Sequence, residues 1–168
     1  ALREAGMVGA IGVGLKDASV ALRLARALPI DAIMLAGAYT LLRHDALDVL
    51  LPWCGQHRVS VLLAAPFNSG ILATGPVSGA RYDYRNATPE VLERTRRIEA
   101  LCQAHGVPLA AAALQFPLHH PAIDSVVAGH EQAGEVARNL ALLRHPVPPA
   151  LWAGLKAQGL IPAHAPTP

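Results

Sequence analysis

Two stretches of this chain combine glycine with polar side chains in the way that an anion-binding backbone requires. Residues 65–75 read APFNSGILATG and follow an apolar run. Pro66, Phe67, Asn68, Ser69, Gly70 and Leu72 therefore fall where a strand gives way to a turn, and successive N–H groups in such a turn can converge on a negatively charged group. Residues 129–139 read GHEQAGEVARN. Here a strand ends at Gly129 and a helix opens, with unpaired N–H groups at its start and Glu135, Arg138 and Asn139 beside them. Taken one at a time, an ordinary glycine turn and an ordinary helix cap explain these stretches equally well. A third stretch, residues 9–14 (GAIGVG), invites comparison with a glycine-rich phosphate loop. That template, set on Gly12, needs glycine where Asp17 stands, and a carboxylate at a helix start repels a pyrophosphate. Glycines that permit a tight turn or close packing are the plainer reading.

Other chemistries find little support. The eight histidines (44, 57, 105, 119, 120, 130, 145 and 164) form no HExxH pair, so no metal site is expected. His119-His120-Pro121 reads as a helix-ending turn. Cys54 and Cys102 lie far apart without CxxC spacing, which argues against a disulfide framework or a zinc site and for small core residues in a reducing cytoplasm. Ser69 lacks a G-x-S-x-G context, which excludes the hydrolase reading. Trp53 and Trp152 read as packing residues, and in the plainer reading Asn68 caps a turn.

These stretches must be positioned by regular elements, and the hydrophobic pattern supplies them. The first residues (ALREAG) read as the last helical turn before a glycine C′ residue. Residues 8–13 form an apolar strand, and Asp17 caps a helix carrying Val20, Leu22, Leu24, Ala27 and Leu28. Pro29 stops it, residues 30–36 form a second strand, and Asp45 is positioned to cap a helix with Leu47, Val49, Leu50, Leu51 and Trp53. A third strand at 59–65 runs into a long polar stretch up to residue 86, and Thr88-Pro89-Glu90 opens a helix through His105. A further helix is expected at 108–118, a fourth strand at 123–128, its helix at 131–143, and a terminal helix at 148–159 before an irregular proline-rich tail. Alternation of this kind implies parallel strands with right-handed crossovers, and strands that are apolar throughout imply burial on both faces. The spacing fits an open doubly wound sheet or about half of a closed (β/α)8 barrel.

At 168 residues and 52% hydrophobic, with 15% charged, the chain has material for one core. Its charge of +2 is scattered, which argues against a nucleic-acid partner. No apolar run has the length of a membrane span and no signal-peptide pattern opens the chain. A cytoplasmic protein is the expectation.

Residues 10–14 (AIGVG) resemble the fifth-strand segment of aldo-keto reductases, and Ile30-Asp31 through Tyr39-Thr40-Leu41-Leu42 resembles their sixth. Residues 66–75 resemble the segment after strand seven, and Gly129 followed ten residues later by Asn139 resembles strand eight. The four matches stand in order over nearly the whole chain. The AGAYTLL and PFNSGILATG variants, with Tyr82-Asp83-Tyr84 in the next loop, are similar to the branch that includes L-fucose and D-threo-aldose 1-dehydrogenases. The resemblance implies an α/β fold, the C-terminal half of a (β/α)8 barrel of aldo-keto reductase type, with residues 1–168 forming a partial domain of four βα units plus a terminal helix and tail. It implies NAD(P)-dependent oxidation of an aldose at C1, or the reverse carbonyl reduction, with a sugar or other small carbonyl or hydroxyl compound as substrate. The cofactor-binding positions it implies are Gly14, Leu15, Pro66, Phe67, Asn68, Ser69, Gly70, Leu72, Gly129, Glu135, Arg138 and Asn139.

The family's Asp, Tyr, Lys and His tetrad comes from strands two to four, so no catalytic residue is expected in this chain. Tyr39, His119 and His120 match no tetrad position, and the chain alone is expected to be inactive. Gly14-Leu15 stands where many relatives have Ser-Asn, and Ala36 where they have Gln. Lys16 follows. Glu135 stands where NADP-preferring members often have arginine, so NAD is expected over NADP, with Arg138 one helical turn away pulling the other way. The other reading is a non-catalytic dinucleotide-binding or regulatory fragment. Open strand edges would then call for a homodimer or a missing N-terminal half.

Overall fold

The computed structural model describes residues 2–168. Gly6 closes the first turn as a left-handed C′ residue at φ 68°, with its N–H donating to Arg3 O and the Met7 N–H to Leu2 O. These are the two bonds of a Schellman motif. Ala1, the first residue of that turn in the sequence reading, lies outside the described residues. The Asp31 carboxylate gathers this segment by pairing with Arg3 and accepting from the Ile11 N–H.

Strand β1 (Gly12–Leu15) leads to helix α1 (Ala18–Ala27), capped by Asp17 as its residue type dictates: one carboxylate oxygen accepts from the Ser19 and Val20 N–H groups. The strand lies later than the apolar run at 8–13 because Asp31 holds the chain at Ile11. The helix buries Ala18, Ala21 and Ala25, not its larger residues; Leu28 is exposed and Val20, Leu22 and Leu24 are half-buried. Small side chains let α1 lie close to the sheet. Strand β2 (Ala32–Ala36) is followed by a loop to α2 (Leu50–His57). Asp45 does not cap this helix, since its carboxylate accepts from Arg43 Nε at 2.6 Å and the helix starts at Leu50.

After β3 (Ser60–Ala64), the long polar stretch holds the single turn α3 (Ile71–Thr74) and a ribbon of β4 (Arg81–Tyr82) and β5 (Arg85–Asn86). Asp83 and Tyr84 join the ribbon at φ 50° and 64°, the two left-handed residues of a type I′ hairpin turn. Helix α4 (Pro89–Ala104) is capped by the Thr88 side chain. Helix α5 (Leu109–Gln115) passes into a 3-10 turn, Phe116–His119, where Pro117 interrupts the pattern expected to run to residue 118. Strand β6 (Ile123–Val127), α6 (Ala133–Leu143) and α7 (Pro149–Ala157) complete the order, and the tail is irregular.

The four long strands form one parallel sheet in the order β1-β2-β3-β6. Each strand lies beside its predecessor and the chain never doubles back across β1, whereas a doubly wound sheet reverses at a switch point. Right-handed crossovers in one direction place the helices on one face, as in half of a closed barrel. That covered face holds the core: Ile33, Leu35, Val61 and Leu63 are fully buried. The opposite face is open, and Met34 and Val127 are 41% and 37% exposed. Burial on both faces, expected from uniformly apolar strands, therefore does not hold for this chain. The second face carries the apolar composition of a barrel interior without covering strands among the described residues.

Candidate functional site

The site lies at the C-terminal ends of β3 and β6. Leaving β3, the backbone turns left-handed at Ala65 (φ 55°), Asn68 (47°), Ser69 (62°) and Gly70 (101°). Three of the four are not glycine, so the turn holds strain of the kind that clusters at binding sites. Side chains hold it in place. The Thr40 hydroxyl donates to Asn68 Oδ1 at 2.6 Å and Asn68 Nδ2 donates to Gly37 O at 3.5 Å, tying this turn to the one after β2. The Ser69 hydroxyl oxygen accepts from the Tyr84 N–H at 2.9 Å, which docks the ribbon on the same turn. Lys16, just past β1, pairs with Asp83 and lies 5.0 Å from the centroid of the Tyr84 ring.

Across from this turn, α6 begins with a capping box in which Gln132 and Glu135 satisfy each other's backbone N–H groups. Glu135 Oε2 also accepts from the Glu131 N–H at 2.8 Å, and these N–H bonds hold its carboxyl below the usual range. Asn139 Nδ2 lies 3.0 Å from His130 Nε2 and anchors that ring against the helix.

Between the two lies a cleft of about 370 Å³ that brings Phe67, Gly70, Gly129, Glu135, Arg138 and Asn139 together. Six expected positions from separate parts of the chain thus line one hollow. It shares Gly70, Gly129 and Glu131 with an adjoining hollow of about 490 Å³, lined also by Ser69, Arg81, Tyr84 and His130. Tyr84 then forms the wall to a water-sized space of about 20 Å³ that holds Asn68 and Lys16. Pro66 is buried beneath the turn. Leu72 is drawn away from the cleft, since its side chain is in the core and its N–H donates to Phe67 O. Gly14 and Leu15 line none of these hollows; Lys16 does. Thr74 and His130, inside the two stretches but not among the expected positions, also line the groove, and Arg81 joins them from outside both stretches. The available signal for Arg81 was the Arg-Tyr-Asp-Tyr-Arg run, whose hairpin turn aims the guanidinium at Tyr84 O, 2.9 Å away.

Residues set aside in the sequence lie elsewhere. Tyr39 is buried and stacked on Phe116, and burial raises its phenol. Burial pushes the thiols of Cys54 and Cys102 up to about 11 and about 12, so both are inert at neutral pH. Trp152 is in the core, while Trp53 stacks on His57 with ring centroids 4.0 Å apart. Among the described residues no three His, Cys, Asp or Glu side chains group to hold a metal ion, and no helix is long and apolar enough to cross a membrane.

A parallel half-barrel with a ligand-sized cleft between the ends of its last two strands defines the class, and comparison with known proteins agrees. Residues 1–158 match the aldo/keto reductase family, and the chain belongs to it. It is 39% identical over 162 residues to D-threo-aldose 1-dehydrogenase of Pseudomonas sp, covering 96% of this chain and 49% of that protein. It is 33% identical to pyridoxal 4-dehydrogenase of Microbacterium luteolum, covering 95% and 47%. The chain thus spans about half the length of these relatives. Among solved structures, the holo form of an aldo-keto reductase from Bacillus halodurans superposes with a TM-score of 0.72 at 21% identity, covering 98% of this chain and 54% of that one. The fold is accordingly an α/β half-barrel of aldo-keto reductase type.

Proposed function

We propose that this chain is the C-terminal, cofactor-holding half of an NAD(P)-dependent oxidoreductase that oxidises an aldose at C1 or runs the reverse carbonyl reduction. The observation that carries this reading is the continuous groove from Asn139 and Arg138, past Gly70 and Gly129, to Arg81 and Tyr84. Its volume suits a ligand of nucleotide size. The residues fit such a group: in the left-handed turn the Asn68 and Gly70 N–H groups donate to Ala65 O and Phe67 O, which leaves the Ser69 N–H and the backbone at Gly129 and His130 for a pyrophosphate, and a Cβ at Gly129 would meet nothing within 4 Å. Arg81 and Arg138 supply positive charge at the two ends. Bound there, the cofactor would exchange hydride with the substrate. The chain's own part is to bind and orient. No tyrosine, lysine or histidine of this chain matches a catalytic position, and Tyr39 is buried away from the groove. The proton-relay groups would come from four further βα units, in the same polypeptide or a partner, and a cytoplasmic location fits the free thiols.

NAD is the expected cofactor. Glu135 is held charged in the cleft by its capping bonds and would repel a 2′-phosphate, although those same bonds occupy one of its oxygens. Calorimetric titration of the chain with NAD and NADP, alongside an L-fucose oxidation assay, tests both points. Expected results are NAD binding without turnover and a gain of about tenfold in NADP affinity for Glu135→Gln, from relieved repulsion. Glutamine keeps the capping box. Binding of neither nucleotide sinks the cofactor reading, and turnover sinks the claim that the catalytic groups lie elsewhere. The same cleft would serve a non-catalytic dinucleotide sensor, which the absence of turnover on adding the other four βα units would favour.

A further inference from the structure

The loop after β2 packs its Tyr39 and His44 against the 3-10 turn and α7. Tyr39 and Phe116 are stacked at 5.0 Å, His44 meets Phe116 edge-on at 5.9 Å, His120 meets Tyr39 at 5.6 Å, and His119 meets Trp152 at 5.2 Å. One buried cluster thus gathers three histidines, a tyrosine and a tryptophan from three elements. Tyr39 and Trp152 are fully buried and His120 is 6% exposed. Four of the polar atoms in it, Tyr39 Oη, His44 Nε2, His119 Nε2 and Trp152 Nε1, are buried without a hydrogen-bond partner. No carboxylate belongs to the cluster to balance a charge. Trp152 offers only a donor, and a neutral imidazole offers an acceptor that protonation converts into a further donor. His120 shows this directly, because its Nδ1 accepts the Ala122 N–H at 3.2 Å and a proton there would break that bond.

The charged groups around the cluster do not rescue it. Arg94 of α4 disfavours a cation at His44; Asp45 and Asp48 of the same loop favour one. Those carboxylates are already engaged, Asp45 by Arg43 and Asp48 by His164 of the tail. Burial outweighs the rest and lowers all three histidines, His44 to about 4. The His164 and Asp48 pair is exposed, so it contributes little.

We propose that His44, His119 and His120 form an acid-sensitive latch, whose protonation expels the loop at 38–49 and so breaks the tie between Thr40 and Asn68 at the candidate site. The mechanical link is short. Thr40 and Arg43 exchange backbone bonds in one tight turn immediately before His44, and the same Thr40 hydroxyl holds Asn68.

The sign follows from the lowered histidines. Stability that depends on neutral imidazole is complete above the unfolded value near 6.5 and is lost as pH falls towards about 4. Between pH 7 and 5 the ratio of latched to open chains should fall about tenfold or more. Hydrogen exchange of residues 38–49, near-UV dichroism and far-UV dichroism across this range form the test. Faster exchange and a lost aromatic signal near pH 5, with far-UV dichroism retained, are expected, and His44→Gln should shift that transition to lower pH. Should His44→Gln fail to fold, His119→Gln serves the same purpose. Coincidence of all signals in one global unfolding, an unchanged midpoint in a folded variant, or no transition above pH 4 would overturn the proposal. None of these readouts needs a bound nucleotide.

Discussion

Replacing Gly12 with alanine is expected to lower the stability of the chain by about 1–3 kcal/mol, the cost of overpacking a close contact. A Cβ at this position would stand 2.9 Å from Ala32 O and 3.3 Å from the Ala32 Cβ. The obstacle is the backbone of the neighbouring strand, which cannot rotate aside, so β1 must move away from β2 and lengthen the ladder that pairs Gly12 with Ala32 and Leu15 with Leu35. Gly14→Ala is the matched control. Its Cβ would lie an ordinary 4.0 Å from the Met34 Cβ, and little or no loss is expected. Urea unfolding of the two variants decides the matter: equal stabilities would show that β1 has slack, and that its glycines are not there for strand packing.

Asn68→Ala should cost about 2–4 kcal/mol, from two separable sources. Alanine in a left-handed conformation costs about 1 kcal/mol or more, and Asn68 sits at φ 47°. Loss of Oδ1 also strands the buried Thr40 hydroxyl, at about 1–3 kcal/mol. Asn68→Gly separates them, because glycine relieves the backbone and leaves only the lost hydrogen bond. Denaturant midpoints for the two variants should therefore differ by about 1 kcal/mol, with glycine the more stable. A reversed order would mean that the turn relaxes without the side chain and that Asn68 does not hold it.

Both positions show what the sequence could and could not convey. The glycines at 12 and 14 were visible, and the misfit of Asp17 to a phosphate loop pointed to packing; the close approach to Ala32 depends on strand register and could not be read. Asn68 was visible as a polar residue in a turn, but its partner is 28 residues away, and a bond between two loops leaves no local periodicity. Caps at Asp17 and Thr88 were legible because the capping atom and its N–H partners lie within three residues. Asp45 misled for the opposite reason: a good cap residue was claimed by Arg43, a competitor just as close. The open face of the sheet was illegible too, since apolar strands look the same whether or not a second layer covers them. Leu72 had the spacing of a site residue, and its core position emerged only with the helical turn that faces it inward.

The strand order has a further consequence for how the chain reaches this state. Gly14 pairs with Met34 and Met34 with Leu62, but Leu62 pairs with Ser125. Closing the last connection is therefore entropically dearer than the first by about 1 kcal/mol, the price of roughly tripling a loop. Helix α6, which follows that strand, has no fully buried residue to recover it. The first three strands should form early and the β6 and α6 unit should dock last, so amides of α6 should exchange before those of β2 and β3. Comparable protection in all of them would refute this order. The cleft, built half from the early unit and half from the late one, would then be completed only at the final step of folding, and a nucleotide bound there would act on the slowest-forming, most readily lost part of the molecule.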